Sequence, residues 1–246
     1  MKAWLAMNPS SLWNNFYIIS ASAGTDVERA RKSHPLLEVH AMRISPTRSL
    51  LLILVFVLVG LPNGFSESPL PATDLPVVIT SCGQSPGATM LKVVFMKLKL
   101  EKGSYEENSL VTADELKAKK DAGAPYKTLI ITMGASLKGM GAAGISIEDE
   151  LARTSALIEE AKRQGMTVIG AHIEGMKRRA QGAAAGDNTD EQSIDAVAPN
   201  ADLLVIKKEG NEDGRFTTIS ESKGIPMVEV EKTLDLITEF EKLFKK

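Results

Sequence analysis

Residues Gly83–Gly87 read Gly-Gln-Ser-Pro-Gly, and in a strand–turn–helix setting the G-x-S-x-G spacing lifts a serine to where it can attack a carbonyl. An apolar run, Leu75 to Ile79, lies just ahead, and a helical pattern, Ala88 to Leu100, follows. Ser85 is therefore the first candidate nucleophile, but two features weigh against acyl transfer. The residue after such a nucleophile gives its backbone N–H to the oxyanion, and here it is Pro86, which has none. The base would have to be His172, since His34 and His40 precede a segment built like an export signal. A helix start accounts for the same residues: Ser85 as the cap, Pro86 in the first helical position and Gly83 as a tight strand exit. The N–H groups of Gly87 and Ala88 would then face an anionic group.

Other spacings are weaker. Gly139-Met140-Gly141-Ala142-Ala143-Gly144 matches G-x-G-x-x-G, but the preceding strand pattern ends near Met133 and Ser146 looks like the next helix cap. In a dinucleotide fingerprint the first glycine ends the strand and an acidic residue follows ~20 residues on. Glu174 comes too late for that role. A flexible Gly134–Gly144 loop that closes over something small is the reading for this stretch. His172-Ile173-Glu174 has the H-x-E of zinc deaminases without their P-C-x-x-C, so no metal is expected, and a hydrogen-bonded histidine at a strand end explains it. Gly210 to Gly214 is a turn signal, and Lys177-Arg178-Arg179 reads as a solvated loop. Cys82 is the single cysteine, so no intramolecular disulfide forms. As a lipobox it would stand far from its apolar segment, beyond four prolines.

The elements that must position these residues follow from periodicity. From Leu75 onward, Val/Ile/Leu runs alternate with helical stretches, the pattern of βαβ units around a mostly parallel sheet. Strands are expected at Val77–Ser81, Asn108–Val111, Thr128–Met133, Thr167–His172, Leu203–Lys207 and Met227–Val230, with Asn108–Val111 at an edge. Continuous apolar runs imply helices on both faces. Thr112 with Glu115, Ser146 with Asp149 and Thr189 with Gln192 resemble capping boxes. Apolar stripes at Ile147, Leu151 and Ile158, and at Ile237, Phe240 and Phe244, are core. The fold expected is a three-layer α/β sandwich with a mostly parallel five- to six-stranded sheet, Rossmann-like or flavodoxin-like. Ligands of such sheets bind at the carboxyl ends of the strands, at a switch in strand order. The loops there offer Gly83, Gln84, Ser85, Gly134, Ser136, Lys138, His172, Glu174, Arg178, Asn211 and Asp213. This is a mixed-charge cleft without an evident triad or metal cage.

Composition changes most sharply near the N-terminus. Arg43 and Arg48 precede the apolar run Leu50 to Leu61, which stops at Pro62-Asn63-Gly64. That is a signal-peptide layout, shorter than the ~20 residues a spanning helix needs. Residues 42–66 are read as the signal peptide, 1–41 as an over-extended N-terminus, 67–74 as a linker and 75–246 as one domain. The expectation is export from the cytoplasm, with membrane contact only through an uncleaved signal. A net charge of −2 on 246 residues leaves no basic excess for nucleic acid. Gly182 to Gly186 is a low-complexity patch read as a flexible loop.

Five blocks, ITSCGQSPGA, MGASLKGMGAAGI, HIEGMKRR, the segment from Ile194 through KKEGNEDG, and GIPMVEVEK, resemble the domain of unknown function 6305 family of exported bacterial proteins, over about residues 75 to 246. The resemblance implies export and an α/β sandwich and assigns no site residues or cofactor. The expected function is binding of a small polar or anionic ligand. The alternatives are an enzyme with a nucleotide-type cofactor or a Ser85 or Cys82 nucleophile, and a protein-interaction module whose edge loops splay apart or pack closed.

Overall fold

The computed structural model describes residues 70–180 and 188–244; the signal-like segment, the residues before it and the Gly182–Gly186 patch lie outside them. Six strands, β1 (Val77–Cys82), β2 (Tyr105–Glu107), β3 (Thr128–Met133), β4 (Thr167–His172), β5 (Leu203–Lys207) and β6 (Met227–Val230), form one sheet. Their order is β2-β1-β3-β4-β5-β6 and every pairing is parallel. This is the flavodoxin-like order extended by one strand. The chain runs outward from β1 to β2 and returns across β1 to β3, so the switch point lies between the ends of β1 and β3.

β1 and β3 are buried along their whole length, as their largely apolar sequences, broken only by Thr80, Ser81, Thr128 and Thr132, suit in a doubly covered sheet. One face is covered by α1 (Gly87–Lys97) and α7 (Leu236–Phe244), joined through Phe95, whose ring centroid lies 5.2 Å from Phe240 and 5.5 Å from Phe244. The other carries α2 (Ala113–Asp121), α4 (Ile147–Arg163), α5 (Thr189–Val197) and α6 (Arg215–Lys223), packed through Leu116, Leu157, Ile194 and Phe216. The short α3 (Leu137–Ala143) lies between β3 and α4. The result is the expected three-layer α/β sandwich.

Local departures from the sequence pattern have physical causes. The edge strand is Tyr105–Glu107, ahead of the expected Asn108–Val111: Asn108 N–H makes the last rung to Ile79 O at 2.9 Å, and Val111 turns into the core. An edge strand with one covered face needs no apolar run. Gly134–Gly144 is no flexible loop, because Ser136 caps α3 by accepting from Gly139 N–H at 3.0 Å and Gly144 ends it in the left-handed region. The α5 cap is Asn188, which precedes the expected Thr189 and whose side chain accepts from Asp190 N–H. The Thr112 and Ser146 capping boxes form as expected. On α4 the buried stripe runs through Glu150, Thr154, Leu157, Ile158 and Ala161; Ile158 is core as expected and Leu151 packs against it partly buried, while Ile147 is only half-buried because Glu150 is drawn inward.

Candidate functional site

At the switch point the β1 and β3 loops are stitched together. Gly83 has φ +102°, and a Cβ there would lie 2.6 Å from Ala135 Cα, so this close approach requires glycine. Gln84 and Ala135 form an isolated antiparallel bridge, and Ser136 N–H donates to Gly83 O at 2.7 Å. Beneath them Glu150, wholly buried, accepts from Gly83 N–H at 2.9 Å and from Gln84 Nε2 at 2.8 Å. Arg153 neutralises it through Nε at 2.9 Å and donates to Val111 O, satisfying the surrounding groups as a buried pair must. Gly139 of α3 rests on the Gln84 carbonyl with no room for a side chain. Of the G-x-G-x-x-G glycines, Gly139 therefore serves helix-on-loop packing and Gly144 ends the helix, while Gly141 has open space beside it. Lys138 is exposed on α3.

The start of α1 differs from the expectation by one residue: Pro86 is the cap position, with no side-chain cap bond, and Gly87 begins the helix. Ser85 Oγ accepts only a long 3.4 Å bond from Gly87 N–H. That N–H also donates to Glu174 Oε1 at 3.1 Å, so an acid beyond the end of β4 answers the helix terminus. Arg178 Nε donates to Glu174 Oε2 at 3.2 Å, and its other arm donates to Ala135 O at 2.7 Å. The arginine stem packs against Gly134. Gly83, Gln84, Ser85, Gly134, Ser136, Glu174 and Arg178 are thus gathered around one point, with Lys138 on the adjoining helix.

The remaining candidates serve other contacts. His172 is fully buried; its Nδ1 lies 3.0 Å from Met133 O and its Nε2 3.1 Å from Gly175 O. Burial holds its pKa below the ordinary histidine value. With both ring nitrogens on backbone carbonyls it is not placed as a base for Ser85. Asp213 binds Arg179, and Arg179 also binds Glu191 at 2.8 Å and the Gly210 carbonyl. The basic cluster is therefore not a solvated loop, since the Arg179 side chain is 1% exposed. Asn211 Oδ1 accepts from Phe216 N–H at 2.9 Å, answering a donor in the first turn of α6, whose cap position is Gly214. Cys82 is buried against α4 and its thiol is pushed up to about 12 by burial, far from a reactive thiolate. Sequence reasoning missed Glu150, Arg153, Arg179 and Glu191; the available signal was a charged residue on the inward stripe of α4. A separate groove of about 270 Å³ lies between β2 and α2, beside Tyr126 and Val111.

The family described as Domain of unknown function (DUF6305) matches residues 74–244. No curated protein matches the chain. Among solved structures, the psychrotrophic esterase EstA from Pseudoalteromonas sp., inhibited by monoethylphosphonate, aligns at 12% identity over 63% of this chain and 77% of that chain. The TM-score is 0.27, a superposition too loose to bear on chemistry.

Proposed function

We propose that this chain, which belongs to the domain of unknown function 6305 family, is an exported binding domain that takes a small polar or anionic molecule at the switch point of its sheet. The observation that carries the reading is a negative charge held at the start of α1, where Gly87 N–H and the Arg178 guanidinium both donate to the Glu174 carboxylate. The bridge between Gln84 and Ala135 fixes the backbone beside that start, where the helix dipole favours a negative charge. Arg178 borders that point, and Lys138 is exposed on the adjoining α3. Binding is favoured over catalysis because Ser85 is followed by Pro86 and the described histidine is committed to Met133 O and Gly175 O. Export is supported by the basic, apolar and breaker sequence from Arg43 to Gly64.

A second reading, a protein-interaction module, draws on the edge loops being packed closed through the Gln84–Ala135 bridge, and on Leu137, 74% exposed at the start of α3, and Leu110, 41% exposed beyond β2. A thermal-shift screen of the full chain against nucleotides, phosphorylated sugars, carboxylates and amino acids separates the two. A ligand at a hundredfold over its Kd stabilises by ~2.7 kcal/mol, a midpoint shift of roughly 5 to 10 °C for a domain of this size. The binding reading expects such a shift from an anion, diminished in Lys138→Ala. Silence across the screen, with a partner whose binding is lost in Leu137→Glu, would overturn it in favour of the interaction module. N-terminal sequencing of exported protein tests the signal, and a mature start at Met1 would refute it.

A further inference from the structure

We propose that the free edge of β2 takes a further strand from a partner protein, an extended segment in which an apolar residue is flanked by lysine or arginine. The surface is separate from the switch point and does not depend on what binds there. β2 ends the sheet, and its register on β1 fixes which of its backbone groups are paired. Val77 N–H donates to Ser104 O and Asn108 N–H to Ile79 O, each at 2.9 Å. Bonding alternates along a strand, so Ser104, Glu106 and Asn108 face β1, while Tyr105 and Glu107 turn their N–H and C=O groups outward. Nothing among the described residues answers those outward groups.

Both helix layers bring apolar atoms beside that edge. Glu106 faces α2, where Lys119 donates to it at 3.1 Å, and on this side lies the groove of about 270 Å³ walled by Val111, Ala118, Ala122 and Tyr126. Glu107 faces α1, where Lys92 reaches it at 3.5 Å. Met96, one turn beyond Lys92 on the same side of α1, is 61% exposed. Side chains of an added strand alternate between the two faces, so one would enter the groove beside Glu106 and its neighbours would lie toward Met96. In strand addition of this kind, main-chain bonds give affinity and pockets for alternate side chains give specificity.

Charge decides the occupant. Lys119 and Tyr126 both donate to Oε2 of Glu106, so Oε1 is left for an incoming cation, and the Glu106 side chain is 47% exposed. A second copy is disfavoured by the same residues. Two β2 edges paired about a two-fold axis would set Tyr-Glu-Glu against itself, and like charges directly opposite are destabilising. Acids that blunt an edge against its own copy admit a strand of opposite charge.

The test titrates the acetylated, amidated peptide Lys-Val-Leu-Val-Lys into ¹⁵N-labelled full-length protein and follows the Tyr105, Glu106 and Glu107 amides. Tyr105 and Glu107 are expected to shift saturably and to gain protection from exchange, with Glu106, already bonded to β1, moving less. The peptide Glu-Val-Leu-Val-Glu should bind about tenfold more weakly. Ala118→Leu, which fills the groove from an exposed helix position, should weaken the basic peptide by a similar factor, and Glu106→Gln should narrow the preference for lysine over glutamate. Comparing the two peptides on the unaltered chain keeps the test independent of how any variant folds. Unmoved Tyr105 and Glu107 amides, equal binding of the two peptides, or indifference to Ala118→Leu would each overturn the proposal. So would protection of the two amides in the protein alone, or a mass that doubles with concentration in the absence of peptide, since these give the edge to this chain or to a second copy.

Discussion

Glu150 has no solvent exposure, and its carboxylate holds the β1 loop from below by accepting from Gly83 N–H, Gln84 Nε2 and Arg153. Glu150→Gln preserves the shape and removes the charge. The new amide N–H group can then point only at donors, and Arg153, 12% exposed at its side chain, is left as a buried cation without a counter-ion. Removing one partner of a buried pair costs about 3–5 kcal/mol. In a domain of this size each kcal/mol moves the midpoint by ~2–4 °C, so the expected loss is roughly 6 to 20 °C. Arg153→Met leaves Val111 O and Ser81 O without their donor and is itself destabilising. The double variant removes the stranded charge and should be more stable than the sum of the single losses predicts, with a coupling of about 0.5–3 kcal/mol. Urea unfolding of the four proteins reads the cycle. A Glu150→Gln loss under ~1 kcal/mol, or strict additivity in the double variant, would refute the account of Glu150 and Arg153 as the clamp beneath the site.

Two further outcomes follow from the same geometry. Gly139→Ala places a methyl against the Gln84 carbonyl and should cost about 1–3 kcal/mol by overpacking. Gly141→Ala, with nothing within 4 Å, should stabilise α3 by up to ~1 kcal/mol; equal effects on the thermal midpoint would contradict the packing role of Gly139. Because the folded pKa of His172 is lowered by burial, the unfolded chain binds the extra proton first as pH falls. Its contribution to stability is therefore full above the unfolded value of ~6.5 and is lost as pH falls from there through the folded pKa. Urea midpoints measured downward from pH 7 should show a decline that His172→Gln removes in part, and identical slopes would count against a buried neutral imidazole.

The sequence by itself determined the layers of this protein. Five of the six strands lie where Val-, Ile- and Leu-rich segments put them, because a strand covered on both faces needs no regular polar alternation; β6, Met-Val-Glu-Val at the edge, is the least buried of these. The Thr112 and Ser146 boxes fixed two helix starts, since those bonds close within four residues of chain. The gathering of Gly83, Ser136, Glu174 and Arg178 at one edge followed from strand-end position alone. Tertiary structure decided the rest, wherever a partner comes from far along the chain. Glu174 reaches Gly87 across 87 positions and Glu150 reaches Gly83 across 67, so no local spacing shows that one acid caps α1 and the other lies inside. The same holds for Arg179, which looks like a solvated loop residue until Glu191 and Asp213 close on it. It holds too for Gly139, which belongs to a spacing that matches a dinucleotide fingerprint but whose close contact is the carbonyl of Gln84. Charge and glycine record what a position permits, and only the neighbours supplied by the fold fix which permission is used.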